Sequence, residues 1–264
     1  MGVTNDTGLA PSASQEITVA IFGSWRDREE IETKLADPDS QNFFDGRTLI
    51  NKARGKVVHE IDVRDRDPGL VASVVSCGAG RLGEHDIKAI NDHSHYIVLT
   101  GPVTDYVNHA KSQTEAALDM FNTAAALVQD LQGSAVHVAT AGITHTLESW
   151  VAMNDECTNA STVNAFVQRI GGSGIFFSCG MHAFGCPDAC LIDNLPSAEG
   201  SKILFEFLLH TLSNKIEPQQ APFIFEPQSL PQSGGFRVTS GKCTEWDEKS
   251  SLYNRFGVWN LTRV

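Results

Sequence analysis

Two apolar rhythms interleave along this chain, and their alternation constrains the fold more than any single motif does. Short runs rich in β-branched residues read as strands: Ile17–Phe22, Val57–Val63, Tyr96–Thr100, Ala135–Ala139, Ile175–Cys179 and Ala189–Ile192. Between them lie segments whose apolar residues recur at helical spacing. Ser24 is a cap, with Asp27 three residues on, for a helix through Leu35. Asp67-Pro68 starts another as N-cap and first helical residue, placing Leu70, Val71, Val74 and Val75 on one face. Glu84–Asn91 is a short helix. Tyr106 to Leu131 is the longest, with Ala110, Ala117, Phe121, Ala124 and Val128 on one face and Gly133 ending it. Thr146 caps a helix carrying Trp150, Thr162–Ile170 reads as helical, and a buried helix spans Ser201–Leu212.

This interleaving predicts an α+β (mixed α/β) protein, with small sheets covered by helices in two packed sub-domains. The polar residues 1–16 read as a disordered leader, 17–170 as an N-terminal α/β domain and 173–264 as a C-terminal α+β domain. Gly171-Gly172-Ser173-Gly174 is the expected linker. Residues 37–47 are polar and turn-rich. Residues 217–235, with Pro218, Pro222, Pro227 and Pro231, read as an irregular loop, and Phe236–Thr239 and Val258–Leu261 as final short strands.

Charge limits the partners. The chain carries 20 Lys/Arg against 32 Asp/Glu, a net of −12, which argues against nucleic acid and anionic membranes. Residues 1–169 hold 13 of the basic and 23 of the acidic residues, a net of −10, so a cationic partner would be drawn to that half. No apolar stretch suggests a signal peptide or a bilayer span, and the expectation is a soluble cytoplasmic protein. Its six cysteines would stay mostly reduced there.

Several motifs invite a chemical reading. Gly78-Ala79-Gly80-Arg81-Leu82-Gly83 matches the dinucleotide-binding glycine pattern, but a helix precedes it, so Gly78 reads as a helix C-cap. Gly23-Ser24-Trp25-Arg26 follows a strand and opens a helix, where an anion could sit; a capped helix with Trp25 packed in a groove is the simpler account. His93 and His95, with His85 nearby, could hold zinc. His137 and His145 flank the turn Thr140–Thr144, where Thr144 could pair with an imidazole as nucleophile and base.

The densest cluster is Ser-Cys-Gly-Met-His-Ala-Phe-Gly-Cys-Pro-Asp-Ala-Cys at 178–190. Cys179, His182, Cys186 and Cys190 are candidate zinc ligands. All four would come from one hairpin, however, in which Cys179 lies roughly opposite Cys190 and side chains alternate between faces. A hairpin with small buried thiols explains the stretch more simply.

The segment Gly180–Asp188 resembles a signature of the bacterial domain of unknown function 4261 family, a Gly-Met/Leu followed by Phe-Gly-x-Pro-Glu/Asp. Ser201–Leu212 and the closing Gly257-Val258-Trp259-Asn260-Leu261 extend the resemblance over the C-terminal part. It implies a small α+β domain without an established activity. It makes Gly180, Phe184, Gly185, Pro187, Asp188 and Trp259 signature positions and the three cysteines incidental.

With no complete catalytic constellation in view, the sequence favours a non-catalytic binding or interaction module with a protein or small-molecule partner. Neither a cofactor nor a cofactor-binding residue is assigned. The alternative is a hydrolase or transferase working in a cleft between the sub-domains, with His145, His182 and Asp188 as candidate groups. A second alternative is a structural zinc protein.

Overall fold

The computed structural model describes residues 16–52, 59–101, 113–172 and 174–264. The expected leader (1–15), the first two residues of the expected Val57–Val63 strand, the start of the longest helix (106–112) and Ser173 lie outside them. The architecture is α+β, with seven helices and two sheets among the described residues.

The first sheet has seven strands, β1 (Ile17–Gly23), β2 (Asn42–Phe44), β3 (Thr48–Asn51), β4 (His59–Asp65), β5 (His95–Gly101), β6 (Ala135–Val138) and β7 (Ile143–Thr146), in the order β2-β3-β4-β5-β1-β6-β7. All its pairings are antiparallel. Both faces are covered, which is why Ile17–Phe22 is apolar at every position but Thr18. Ile17, Val19 and Ile21 face a core shared with α4 (Gln113–Asp130). Ala20 and Phe22 face a smaller cluster with Val71 and Val74 of α2 (Pro68–Cys77) and Ile90 of α3 (Glu84–Asn91). Asp67 caps α2 and Gly78 ends it, so the Gly78–Gly83 pattern joins two helices rather than following a strand.

The second sheet has β8 (Gln168–Gly172), β9 (Ile175–Cys179), β10 (Asp188–Ile192), β11 (Phe223–Phe225), β12 (Phe236–Gly241) and β13 (Val258–Arg263), in the order β11-β12-β13-β10-β9-β8. Only β10 and β13 run parallel. One face packs on α7 (Ser197–Asn214), where Phe176, Leu191, Trp259 and Leu261 meet Ile203, Leu204, Phe207 and Leu208 in the main core.

That core continues into the first sheet through α4, α5 (Leu147–Glu156) and α6 (Asn159–Phe166). Phe121, Trp150 and Phe166 make edge-on ring contacts at 4.8–5.7 Å, and Phe184 joins Phe166 at 6.1 Å. Such pairs each add about 0.5–1.5 kcal/mol beyond their buried area. The hairpin that carries the cysteines is thereby pinned to the helices of the first unit.

The structure corrects several expectations. The helix before the glycine run stops at Phe166, and residues 168–172 form β8. Gly171 and Gly172 pair with Phe176 and Ile175, so the first two residues of the expected linker are strand, and the second sheet begins before residue 173. Gly171 also makes room for the Phe176 ring, which a Cβ there would meet at 2.2 Å. Cys190 pairs with Phe177, which leaves Cys179 level with Asp188 rather than with Cys190. Helix α1 (Arg28–Leu35) is capped by Asp27, whose carboxylate accepts from the Glu30 N–H, and not by Ser24. Strands β2, β7 and β11 lie where turns or irregular loop are expected and β3 where no element is, and they make the sheets larger than the sequence suggests.

Candidate functional site

The Cys/His-rich stretch opens at the end of β9 with Gly180, at φ +121°, where a Cβ would lie 2.2 Å from the Phe166 carbonyl oxygen. Only glycine fits there without strain. A 3-10 turn, Met181–Phe184, follows, and then β10 begins at Asp188. The Asp188 carboxylate is buried and fully engaged. One oxygen accepts from the Ser178 hydroxyl (3.0 Å) and the Met181 N–H (3.1 Å), and the other from the Asn254 amide (2.8 Å). Asn254 also donates to the Cys186 carbonyl (3.0 Å), and the Asp188 N–H donates to the Gly257 carbonyl (3.1 Å). Burial raises the Asp188 carboxyl to about 6, against the pull of these hydrogen bonds. The network latches the segment before β13 onto the hairpin.

The three candidate catalytic residues each keep their own surroundings. His145 donates from Nε2 to the Ala165 carbonyl (2.9 Å) and packs on Trp150; burial lowers it to about 4. His182 is fully buried, its ring nitrogens make no hydrogen bond, and burial followed by the nearby Arg255 charge lowers it to about 4. Asp188 is committed to the latch. Each is satisfied or packed in its own surroundings.

The other readings fare similarly. The Thr144 hydroxyl donates to the Val74 carbonyl (2.7 Å), so its single hydrogen is spent. His137 Nδ1, 3.0 Å from that oxygen, must therefore donate to it, which is the wrong direction for a base activating Thr144. His93 Nδ1 donates to the Ile90 carbonyl, His95 leans toward Ser94 and Asp65, and His85 is exposed. Cys179 reaches toward the Leu252 carbonyl and Cys186 toward that of Phe184, and burial pushes both thiols up, Cys186 to about 11. Among the described residues no three His, Cys, Asp or Glu side chains stand together as a set that could hold a metal ion, and the candidate zinc ligands Cys179, His182, Cys186 and Cys190 are not gathered into one. Trp25 Nε1 donates to the Leu131 carbonyl (2.7 Å), a packing role.

Sequence reasoning missed one buried pair. His59 Nε2 and Asp119 Oδ2 are 3.0 Å apart, 0% and 4% exposed. The β4–β5 register carries His59 to a place opposite Gly101, where a Cβ would lie 2.3 Å from His59 Nδ1. The signal was present: His59 falls on the buried side of an alternating strand, and Asp119 on the apolar side of a helix.

What the latch builds is a cleft. Between the first sheet and the segment before β13 opens a cavity of ≈ 710 Å³. Glu16, Thr18 and Thr140 line it from the first unit, and Glu248, Ser250, Ser251, Tyr253 and Arg255 from the segment held by Asn254. Burial and the neighbouring Glu248 raise the Tyr253 phenol. The lining is five hydroxyls, two carboxylates and one guanidinium, a set suited to hydrogen bonding and charge recognition. The alternative enzyme reading places His145, His182 and Asp188 in a cleft between the sub-domains; none of the three is among the residues that line this one. No helix among the described residues is long and apolar enough to cross a membrane. No known protein family, curated protein or solved structure matches the chain.

Proposed function

We propose that this protein is a cytoplasmic, non-catalytic binding module that holds a small polar molecule in the cleft between its first sheet and the segment before β13. The observation that carries the reading is the latched segment: a buried carboxylate and amide are spent on fixing Ser250–Arg255 as one wall of the cleft. The volume falls within the usual range of ligand pockets, about 300–1,000 Å³. The lining hydroxyls and fixed charges support recognition rather than nucleophilic chemistry. Net charge −12 supports a partner other than nucleic acid. The resemblance to the domain of unknown function 4261 family belongs to the same reading, with Gly180 and Asp188 as the positions that shape the hairpin and anchor the wall.

The test is a thermal-shift screen of polar metabolites on the wild type and on Ser251→Trp, which fills the cleft from an exposed position. A ligand at about 100 times its Kd stabilises by about 2.7 kcal/mol. Expected are ligands that raise Tm in the wild type only and are recovered chemically unchanged. Conversion of the ligand would instead favour a hydrolase or transferase, and equal protection of Ser251→Trp would place binding elsewhere.

A further inference from the structure

A second concavity shares no residue with the cleft and has a different character. A groove of ≈ 680 Å³ lies between the C-terminal end of α4 and α5. Its apolar lining is Val128 from α4 and Leu147, Val151 and Ala152 from α5. Leu147 and Val151 also pack on the main core, and Ala152 is exposed. Gln129 and Gln132 line it on the α4 side, Glu148 and Asp155 on α5. The two carboxylates are exposed and stand seven residues apart, about two helical turns. From residue 112 to residue 168 the chain has no lysine or arginine but six carboxylates, so neither helix supplies a cation. Among the described residues none from elsewhere pairs with Glu148 or Asp155.

We infer that this groove docks a basic amphipathic helix of a partner protein, its apolar ridge against Val151 and Ala152 and its lysines or arginines against Glu148 and Asp155. Three features select that occupant. The groove is built from helix sides, whose backbone groups are already bonded, so an extended peptide finds no strand edge to join. Leu147, Val151 and Asp155 follow one another at i, i+4 and i+8, the row along which a second helix packs. The carboxylates at either end of the apolar stretch complement a cationic flank. A second copy meeting the groove through the same face would set carboxylate against carboxylate. The net charge of −12 also draws a basic partner toward the protein.

Fluorescence anisotropy on the full chain tests this with a labelled leucine–lysine peptide of about fourteen residues, patterned so that its leucines share one helical face. It should bind saturably. Three counterparts should each bind about tenfold more weakly or worse: leucine–glutamate lacks the cations, alanine–lysine lacks the apolar ridge, and a central proline breaks the helix. Glu148→Gln with Asp155→Asn should weaken the leucine–lysine peptide about fivefold, since each exposed ion pair contributes a factor of about 1.5–5. Ala152→Arg fills the groove and sets a guanidinium between the two carboxylates, and it should weaken binding about tenfold or more. Glu29→Gln with Glu84→Gln removes the same charge from α1 and α3 and should leave binding unchanged. All five residues are exposed, so no variant threatens folding. No saturable binding at millimolar concentration, equal binding of the proline peptide, an equal loss in the control pair, or full binding by Ala152→Arg would each overturn the inference. So would a dimer, seen by sedimentation, that Ala152→Arg disperses, because the groove would then belong to a second copy.

Discussion

The two sheets of this molecule solve the same problem differently. The first is covered on both faces and hides nearly every side chain of its central strand β1. The second is covered on one face by α7, and its other face is divided. At one end the segment before β13 closes over Cys179 and Asp188; at the other, Ile170, Ile175 and Ile192 stand 41–51% exposed on β8, β9 and β10. The difference shows in the residues: Ile17–Phe22 is apolar at every position but Thr18, whereas Phe236-Arg237-Val238-Thr239 alternates buried and exposed. It also shows where polar chemistry can be built, because a face only partly covered by apolar residues leaves room for a hydrogen-bonded wall.

Substitutions at adjacent residues put the contrast to its hardest test. In the first sheet Ile21→Ala and Phe22→Ala should both be severe, costing about 2–5 and 3–5 kcal/mol, because one side chain enters each core. In the second, Leu261→Ala should cost about 2–5 kcal/mol and its neighbour Thr262→Ala at most about 0.5 kcal/mol. Urea denaturation of the four variants decides it; a large loss at Thr262 would mean that the outer face is covered after all.

Next in size is the pH dependence of the latch. Asp188 titrates higher in the folded protein, at about 6, than its ordinary 3.8. The folded state thus holds the proton more tightly than the unfolded state. Its contribution is full below pH 3.8 and is lost as pH rises through 6, a swing of roughly 3 kcal/mol. His137, His145 and His182, all lowered to about 4, act in the opposite sense: their contribution is full above 6.5 and is lost as pH falls toward 4. Stability measured from pH 4 to 7 in the wild type and in Asp188→Asn separates the two. Relative to the variant, the wild type should lose stability as pH rises; a constant difference would mean that the carboxyl does not titrate in this range.

A smaller effect is expected at Asn254. Asn254→Ala removes one donor to a buried carboxylate and should cost about 1–3 kcal/mol. Hydrogen exchange should accelerate at residues 250–257 while β1 stays protected. Uniform acceleration would show that the latch supports the whole fold and not the cleft wall alone. The smallest change is Ile192→Ser on the open face, expected to stay within about 0.5 kcal/mol of the wild type in urea, with destabilisation beyond that pointing to hidden packing.

Much of this fold is legible in the residues. Asp67-Pro68 and Gly78 bracket α2, Thr146 caps α5, and Ile175–Cys179 is a strand as read. What escapes is short or polar. Asn42–Phe44 and Phe223–Phe225 are three-residue strands, too brief for any period to register. Gln168–Gly172 ends in two glycines that signal a turn, yet both pair in the strand, and Gly171 lies where the Phe176 ring leaves no room for a Cβ. Asp27 displaces Ser24 as the helix cap because Trp25 is held by the Leu131 carbonyl, so the helix starts three residues later. The candidate site is less legible still. Asp188 was singled out for its place in a motif, but its partner Asn254 lies far along the chain, and nothing local in Glu16 or Arg255 announces that they share a cleft.

The parallel pairing of β10 with β13 bears on how the protein is made. β10 enters the nascent chain soon after β9 and can form a hairpin with it at once, but its other edge is completed by residues such as Val258, which are translated only after α7, β11 and β12. Through that interval the ribosome carries a hairpin with one open edge, and α7 emerges before the sheet beneath it is whole. Closing a loop of this length carries its entropic cost before its contacts form, which slows the step. The first sheet has no such wait for a distant strand once β7 is out, so the protein is built as a finished half holding an unfinished one, and the interval before β13 arrives is when a chaperone has the most exposed surface to protect.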